Sequence, residues 1–457
     1  MEALSVEEIA RAAQGVLMNF EGEYEVSGVS TDSREINPGD MFVALVGENF
    51  DGHDFIHKAV ENGAVLAVAQ RMPEDCKIPY ILVEDTLKAL QDIASYYRSK
   101  FHIPIVAVTG SSGKTTTKDI MASVLSQKFN VLKTEGNFNN AIGLPLTLFR
   151  LQYSHQIAVL EMGMSSLGEI SLLSKIARPS IGVISNVGLT HIEKLGSREN
   201  ILRAKLELFS YFNSDNTAVI NGDNDMLHGF RSDKFRVIKY GLSQSNDIFA
   251  YGIEEKGEAG IEFCVDSQGL RSKFALMFPG MHNVYNALSA IAVARLFDMK
   301  AEEIQKGLDS FKPSEMRMEI INLDCGVKLI NDVYNANPES MKAAIDVLRA
   351  MKSEGRGICI LGDMLELGEL SPEEHYKIGM YAACSGADVI AAVGKFAEDV
   401  KRGAAAAGMG GSIYAFYDIK DAAEFLNDKI KPGDTVLIKG SRGMKMEYVV
   451  DYLRERG

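Results

Sequence analysis

The chain has no tryptophan, no low-complexity tract and no apolar run long enough to span a bilayer. Disorder and membrane embedding are both disfavoured by those absences. Its five cysteines, Cys76, Cys264, Cys325, Cys359 and Cys384, are scattered without a CxxC pair or a His–Cys cluster. Neither a zinc site nor a disulfide framework is indicated. Basic charge is in deficit too: 48 Lys and Arg against 62 Asp and Glu give a net charge of −14. Nonspecific binding to nucleic acid or to an anionic membrane is therefore disfavoured, and an anionic substrate needs local cations or Mg²⁺. Ser5 to Gly15 reads as an acidic amphipathic helix without the basic segment of an export signal, so a cytoplasmic location is expected.

What remains is the composition of an ordinary enzyme, 46% hydrophobic and 24% charged over 457 residues. That length exceeds what one core usually serves, and about three domains are expected. Residues 1–100 hold short β-like runs at Val26–Ser30, Met41–Ala44, Val65–Ala69 and Tyr80–Val83, closing with a helix from Thr86 to Lys100, and read as a small N-terminal α/β domain. Residues 101–312 alternate apolar strands and helices, as a mostly parallel sheet covered on both faces requires. Alternating runs between Ile248 and Phe278 suggest an antiparallel appendage to it. Lys312-Pro313-Ser314 reads as a linker, and residues 313–457 alternate again as a C-terminal Rossmann-like α/β domain.

The strongest chemical signal is Ile105-Val-Ala-Val-Thr-Gly-Ser-Ser-Gly-Lys-Thr-Thr-Thr-Lys118, a short apolar strand running into a glycine-bearing loop and a Lys-Thr helix start. Gly110 and Gly113 allow close backbone approach, so N–H groups of Thr109, Gly110, Ser111, Ser112, Gly113, Lys114, Thr115 and Thr116 can converge on phosphate at a helix N-terminus. Lys114 supplies a mobile cation and the Thr115 hydroxyl an oxygen for Mg²⁺. The strict P-loop pattern also asks for glycine at 108, where this chain has Val108. Three further residues draw notice. Glu161 ends the apolar run Ile157–Glu161, and His191 follows the run Ile181–Val187; both occupy carboxyl ends of strands, where a nucleotide would sit. Lys205 lies in the helical stretch Arg198–Phe212 among residues otherwise read as surface charges.

Seven segments in order, Thr109–Thr117, Glu161-Met-Gly163, Asn186-Val-Gly-Leu-Thr-His191, Ala204-Lys205, Pro279-Gly-Met-His-Asn283, Met316-Arg-Met-Glu319 and Asn331–Pro338, resemble the motifs of the Mur ligase family. Leu361-Gly-Asp-Met-Leu-Glu-Leu-Gly368 and Lys439-Gly-Ser-Arg-Gly-Met-Lys-Met-Glu447 are most similar to the branch that adds D-alanyl-D-alanine to UDP-N-acetylmuramoyl-tripeptide. The Asp-Asn-Pro-Arg motif of the preceding, tripeptide-forming branch is absent.

The resemblance implies an ATP- and Mg²⁺-dependent ligase that activates a peptide carboxylate as an acyl phosphate, acts in peptidoglycan synthesis and works as a monomer. It makes Lys114, Glu161, His191 and Lys205 catalytic. Thr115, Glu161 and His191 would hold metal, joined by Lys205 once carbamylated by CO₂. Asn283 would face adenine, or else cap the helix that follows it. Arg317 and Asp332 would meet phosphate and ribose. Tyr334, Asn335 and Asn337 would meet the dipeptide, although an Asn-Ala-Asn-Pro run also makes a good turn into a helix. Thr31, Ser33 and Arg34 resemble the uridine-diphosphate pocket, and Asn137, Asn139 and Asn140 a muramoyl-contacting loop. A relative acting on another acid, or a P-loop switch without an acceptor substrate, stays as an alternative reading.

Overall fold

The computed structural model describes residues 1–457 except 23, 73–75, 353 and 456–457. Three large sheets form along the chain. The first has five strands in the order Val16–Met18, Tyr80–Leu82, Leu66–Ala69, Asp40–Val43 and Gly28–Ser30; the Val16–Met18 pairing is antiparallel and the others are parallel. Its companion helix Val6–Ala13 starts at Ser5 in a reciprocal capping box with Glu8, which satisfies donors a helix start leaves unpaired.

Glu8 also ties this helix to Thr86–Ser99, the helix that closes the N-terminal unit. Its Oε1 accepts from Lys100 Nζ at 2.6 Å and from the Tyr96 hydroxyl at 2.7 Å. Those two bonds are the main reason its carboxyl is lowered from 4.5 to about 2. A carboxyl lowered on folding adds stability that is present above its unfolded value and fades as pH falls toward its folded one. Glu8→Gln is expected to cost about 1 kcal/mol at pH 7. In urea titrations of both chains, the difference narrows below pH 4.5.

The central sheet has nine strands in the order Leu270–Leu276, Ile261–Ser267, Ile248–Glu255, Arg236–Gly241, Thr217–Asn221, Ile181–Ile184, Ile105–Thr109, Ile157–Glu161 and Val131–Lys133. Strand Ile105–Thr109 is parallel to both neighbours, and its side chains alternate between two cores. Ile105 and Ala107 face a core shared with the N-terminal unit through Tyr97, whereas Val106 and Val108 face the helices Lys114–Leu125 and Met281–Leu296. Each such full burial of a valine or isoleucine is worth roughly 1.5–3 kcal/mol. The run from Ile248 to Leu276 is antiparallel as expected, but it is no appendage. Ile248 pairs in parallel with Tyr240, so the hairpins extend the main sheet.

The third sheet has six strands in the order Glu319–Asn322, Lys328–Asp332, Thr435–Lys439, Gly357–Gly362, Val389–Val393 and Ile413–Phe416, all parallel except the first. Arg198–Leu206 is α-helical and tightens into a 3₁₀ turn at Glu207–Phe209. No helix among the described residues is long and apolar enough to cross a membrane.

Candidate active site

A cavity of about 530 Å³ opens where the carboxyl ends of the central sheet face the C-terminal sheet. Strand Ile105–Thr109 lies between Ile157–Glu161 and Ile181–Ile184, so the loops leaving these three strands meet at one place. This reversal of strand order is where α/β sheets bind ligands. Ser111, Ser112, Gly113, Lys114, Thr115 and Thr116 line one wall, together with Asn139, Asn140, Glu161, His191 and Asn283. Arg317, Asp332, Tyr334, Asn335 and Asn337 line the opposite wall.

The phosphate loop is built as its sequence requires. Gly113, at φ 76°, is the N-cap of helix Lys114–Leu125 and offers no side chain to its first N–H groups. A Cβ on Gly110 would lie 1.9 Å from Ser185 Oγ. Thr109 and Gly110 do not line the cavity, and Thr109 is fully buried. Lys114 Nζ donates to Gly110 O at 2.9 Å. Burial is the largest effect on Lys114 and lowers its pKa, while the nearby Glu161 carboxylate opposes that shift.

Asn186 braces this loop, a role that reading the sequence missed. Its Oδ1 accepts the N–H groups of Ser111 and Ser112 at 2.9 Å each, and its Nδ2 donates to Ser112 Oγ at 2.6 Å. Asn186→Ala is expected to raise the KM for ATP roughly tenfold, because the Ser112 N–H loses its acceptor and the Ser111 N–H keeps only the Asn186 backbone carbonyl at 3.1 Å, at a cost of about 1–3 kcal/mol. An ATP titration with the other substrates held saturating measures it.

Glu161 shows how a cation would fit. Its Oε1 accepts from Asn139 Nδ2 at 2.7 Å, and its buried Oε2 has no hydrogen-bond partner. A buried carboxylate oxygen left bare is costly unless something positive is placed against it. His191 adopts φ 66° at the start of the short helix Ile192–Leu195. Among the described residues no three His, Cys, Asp or Glu side chains cluster as a metal site.

Lys205 is buried near this site, close enough to Lys114 for that charge to act on it. Ile201, Ala204 and Lys205 form the buried face of helix Arg198–Leu206, and Lys205 is only 1% exposed. Among the described residues no carboxylate pairs with it; burial first, and then the charge of Lys114, push its pKa well below 10.5. It does not itself line the cavity wall. The i, i+4 spacing from Ile201 to Lys205 was the available signal that this lysine faces inward.

Asn283 is not a helix cap. Gly280 holds that position, and Asn283 Nδ2 donates to Pro279 O at 2.8 Å while its Oδ1 accepts from Asn286 Nδ2 at 3.1 Å. Asn337 is a cap, with Oδ1 accepting from Ser340 N at 2.8 Å, and it also reaches across the cleft, donating from Nδ2 to Thr190 Oγ1 at 2.9 Å. The Arg317 guanidinium lies over the Tyr334 ring at 4.0 Å. Asp332 Oδ2 accepts from the buried Lys439 Nζ at 2.5 Å, and that ammonium also donates to Asn335 O at 2.9 Å. Lys439 is a second residue whose role the sequence did not disclose. His282, from the same segment as Asn283, also lines the cavity; burial lowers its pKa to about 4, so the ring is neutral near pH 7.

Thr31, Ser33, Arg34 and Asn137 do not line this cavity. In the N-terminal unit Asp32 Oδ1 accepts the Arg34 N–H at 2.9 Å, and Asn62 Nδ2 donates to Ser33 O at 2.7 Å, which fixes that turn. Asn137 is exposed, and its carbonyl accepts from Asn139 N at 2.7 Å.

A phosphate-binding loop facing a second α/β unit across a cleft defines a nucleotide-dependent transferase or ligase, and sequence comparison settles which. Residues 25–98 match the Mur ligase family catalytic domain, 108–294 the Mur ligase middle domain and 316–442 the Mur ligase, glutamate ligase domain. The chain belongs to the Mur ligase family, and is thus an ATP-dependent amide ligase. Among its relatives, the UDP-N-acetylmuramoyl-tripeptide–D-alanyl-D-alanine ligase of Bacillus subtilis is 39% identical, covering 99% of this chain and 98% of its own. The Escherichia coli enzyme of the same name is 35% identical over 94% of each chain. A crystal structure of MurF from Acinetobacter baumannii superposes with TM-score 0.92 at 34% identity, covering all of both chains. MurF ligase from Thermotoga maritima, solved in complex with ADP, gives TM-score 0.83 at 30% identity over 94% of this chain and 97% of that one.

Proposed function

We propose that this chain joins D-alanyl-D-alanine to UDP-N-acetylmuramoyl-tripeptide at the expense of ATP, giving the UDP-muramoyl-pentapeptide of peptidoglycan synthesis. The observation that carries the reading is the single cavity in which Lys114 and its loop face Arg317, Asp332 and the Tyr334–Asn337 turn. Full-length relatives bearing that name support the choice of substrates. A cytoplasmic, monomeric enzyme belongs to the same reading, and five cysteines without a disulfide accord with a reducing compartment.

In this reaction the tripeptide carboxylate takes a phosphoryl group with loss of ADP. The dipeptide amine then attacks the acyl carbon, the C–O bond to phosphate breaks, and the amine's proton is released. Lys114 and the uncapped N–H groups of Lys114–Leu125 gather phosphate charge at the cavity wall, lowering the repulsion between two anionic partners. Arg317 adds a cation from the opposite wall. Thr115, Glu161 and His191 would hold Mg²⁺, which when bound offsets charge on the transferred phosphoryl group. The Lys205 amine, whose pKa burial lowers, would add to CO₂ in its neutral form, making an N–C bond and releasing a proton, which leaves a carbamate anion. In the N-terminal unit, Thr31, Ser33 and Arg34 would hold the uridine diphosphate, while Asn137, Asn139 and Asn140 would approach the muramoyl group. The domain limits 1–100, 101–312 and 313–457 assign one substrate-handling role to each unit.

The test is phosphate release with ATP and Mg²⁺, adding tripeptide and dipeptide substrates singly and together, with product mass recorded. Release that needs both, with a pentapeptide product, supports the reading. Release without an acceptor overturns it in favour of a nucleotide switch.

A further inference from the structure

The segment Leu361-Gly-Asp-Met-Leu-Glu-Leu-Gly368 has no part in the chemistry described so far, yet the structure sets it directly against the loop that carries His191. Glu366 Oε2 lies 2.5 Å from His191 Nδ1. The contact is short but off the hydrogen-bonding direction, since Nδ1 is buried and makes no aligned bond. One residue pair away, Glu193 N donates to Glu366 O at 3.2 Å. Both His191 and Glu366 hold positive φ, 66° and 65°, a conformation that non-glycine residues adopt at some cost. The two strained backbones thus meet across the boundary between the central and C-terminal sheets.

The rest of the His191 loop is gripped by the same unit. Thr190 Oγ1 accepts from Asn337 Nδ2, and the side chains of Leu189 and Ile192 pack on the C-terminal core. On the other side, the segment bearing Glu366 is itself held firmly. His375 Nε2 accepts from Met364 N at 2.9 Å, and its Nδ1 lies 2.6 Å from Ser371 O, which fixes a neutral ring with the proton on Nδ1. Asp363 accepts the N–H groups of Lys395 and Phe396 at 2.8 and 3.1 Å. Leu365 N donates to Ser441 Oγ at 2.9 Å.

We propose that Glu366 is a positioning residue for His191: when the C-terminal unit closes, its carboxylate takes the Nδ1 side of the imidazole and leaves the Nε2 lone pair for the divalent cation. The inference rests on the reading of His191 as a metal ligand. Its chemistry is general. A ligating histidine whose other ring nitrogen donates to a carboxylate has a fixed tautomer and orientation, and a more basic lone pair. Closure and metal-site assembly then become one event, because the carboxylate placed to orient His191 arrives from the other unit.

The experiment measures Mn²⁺ binding by electron paramagnetic resonance in the full chain with ADP, for the native protein and for Glu366→Ala, Glu366→Gln and His191→Ala. Glu366 is half-exposed, so thermal melts should show all of its variants folded. Glu366→Ala is expected to weaken Mn²⁺ binding roughly 10–100-fold. Glu366→Gln, whose amide oxygen still accepts from Nδ1–H, should recover most of that loss. Native-like Mn²⁺ affinity in Glu366→Ala, with His191→Ala impaired, would overturn the positioning role and leave the metal reading standing. Native-like affinity in both would remove the metal reading and this inference with it.

Discussion

Lys114→Met lowers turnover by on the order of 10²–10³-fold, the scale of losing one preorganised electrostatic group, while the protein stays folded. Methionine is unbranched and one atom shorter, and it removes the charge together with the N–H donors. Lys114 Nζ has one hydrogen bond, to Gly110 O, and otherwise faces the cavity, so little packing depends on it. Its burial is already unfavourable to the ammonium, and Glu161 across the site only offsets part of that cost. The melting temperature should therefore hold or rise. Steady-state rates at saturating ATP, beside a thermal melt, measure both quantities; an active Lys114→Met variant would mean that phosphate charge is met elsewhere.

Lys205→Met carries the second large effect, and its two readouts move in opposite directions. A desolvated amine near a second cation destabilises the fold, so an apolar side chain of similar shape should leave the melting temperature unchanged or raise it. Turnover should fall roughly 10²–10³-fold, because the carbamate oxygen proposed as an anionic donor can no longer form. Incubation with ¹³C-bicarbonate offers an independent check: native protein should give a carbamate carbon resonance that the Lys205→Met variant lacks. A variant that loses stability yet keeps activity would make Lys205 a packing residue.

The sequence disclosed the parts of this molecule that local chemistry determines. The strands Ile105–Thr109, Thr217–Asn221, Val389–Val393 and Thr435–Lys439 can be read off directly, because buried parallel strands are continuous apolar runs. The short edge strands Val131–Lys133, Glu319–Asn322 and Ile413–Phe416 went unread, since each has a partly exposed face and no such run. The pairing of Tyr240 with Ile248 was equally hidden, because alternation shows that a strand is half-buried and not which strand it joins. For the site, Gly110, Gly113 and Lys114 were legible from spacing alone. Asn186, Lys439 and Glu366 were not, because their roles come from contacts with residues far away in sequence, Ser112, Asp332 and His191 respectively, or from the closing of one unit on another. Asn186 looks like any turn asparagine until its carbonyl is seen receiving two N–H groups of the phosphate loop.

The central claim is that the tripeptide carboxylate is phosphorylated before the amine attacks. It is tested most directly with UDP-N-acetylmuramoyl-tripeptide carrying ¹⁸O in its terminal carboxylate, supplied with ATP, Mg²⁺ and D-alanyl-D-alanine. Activation through an acyl phosphate places one ¹⁸O in each phosphate released, seen by mass spectrometry or by the ³¹P isotope shift. Phosphate free of label, formed together with the pentapeptide product, would contradict the account.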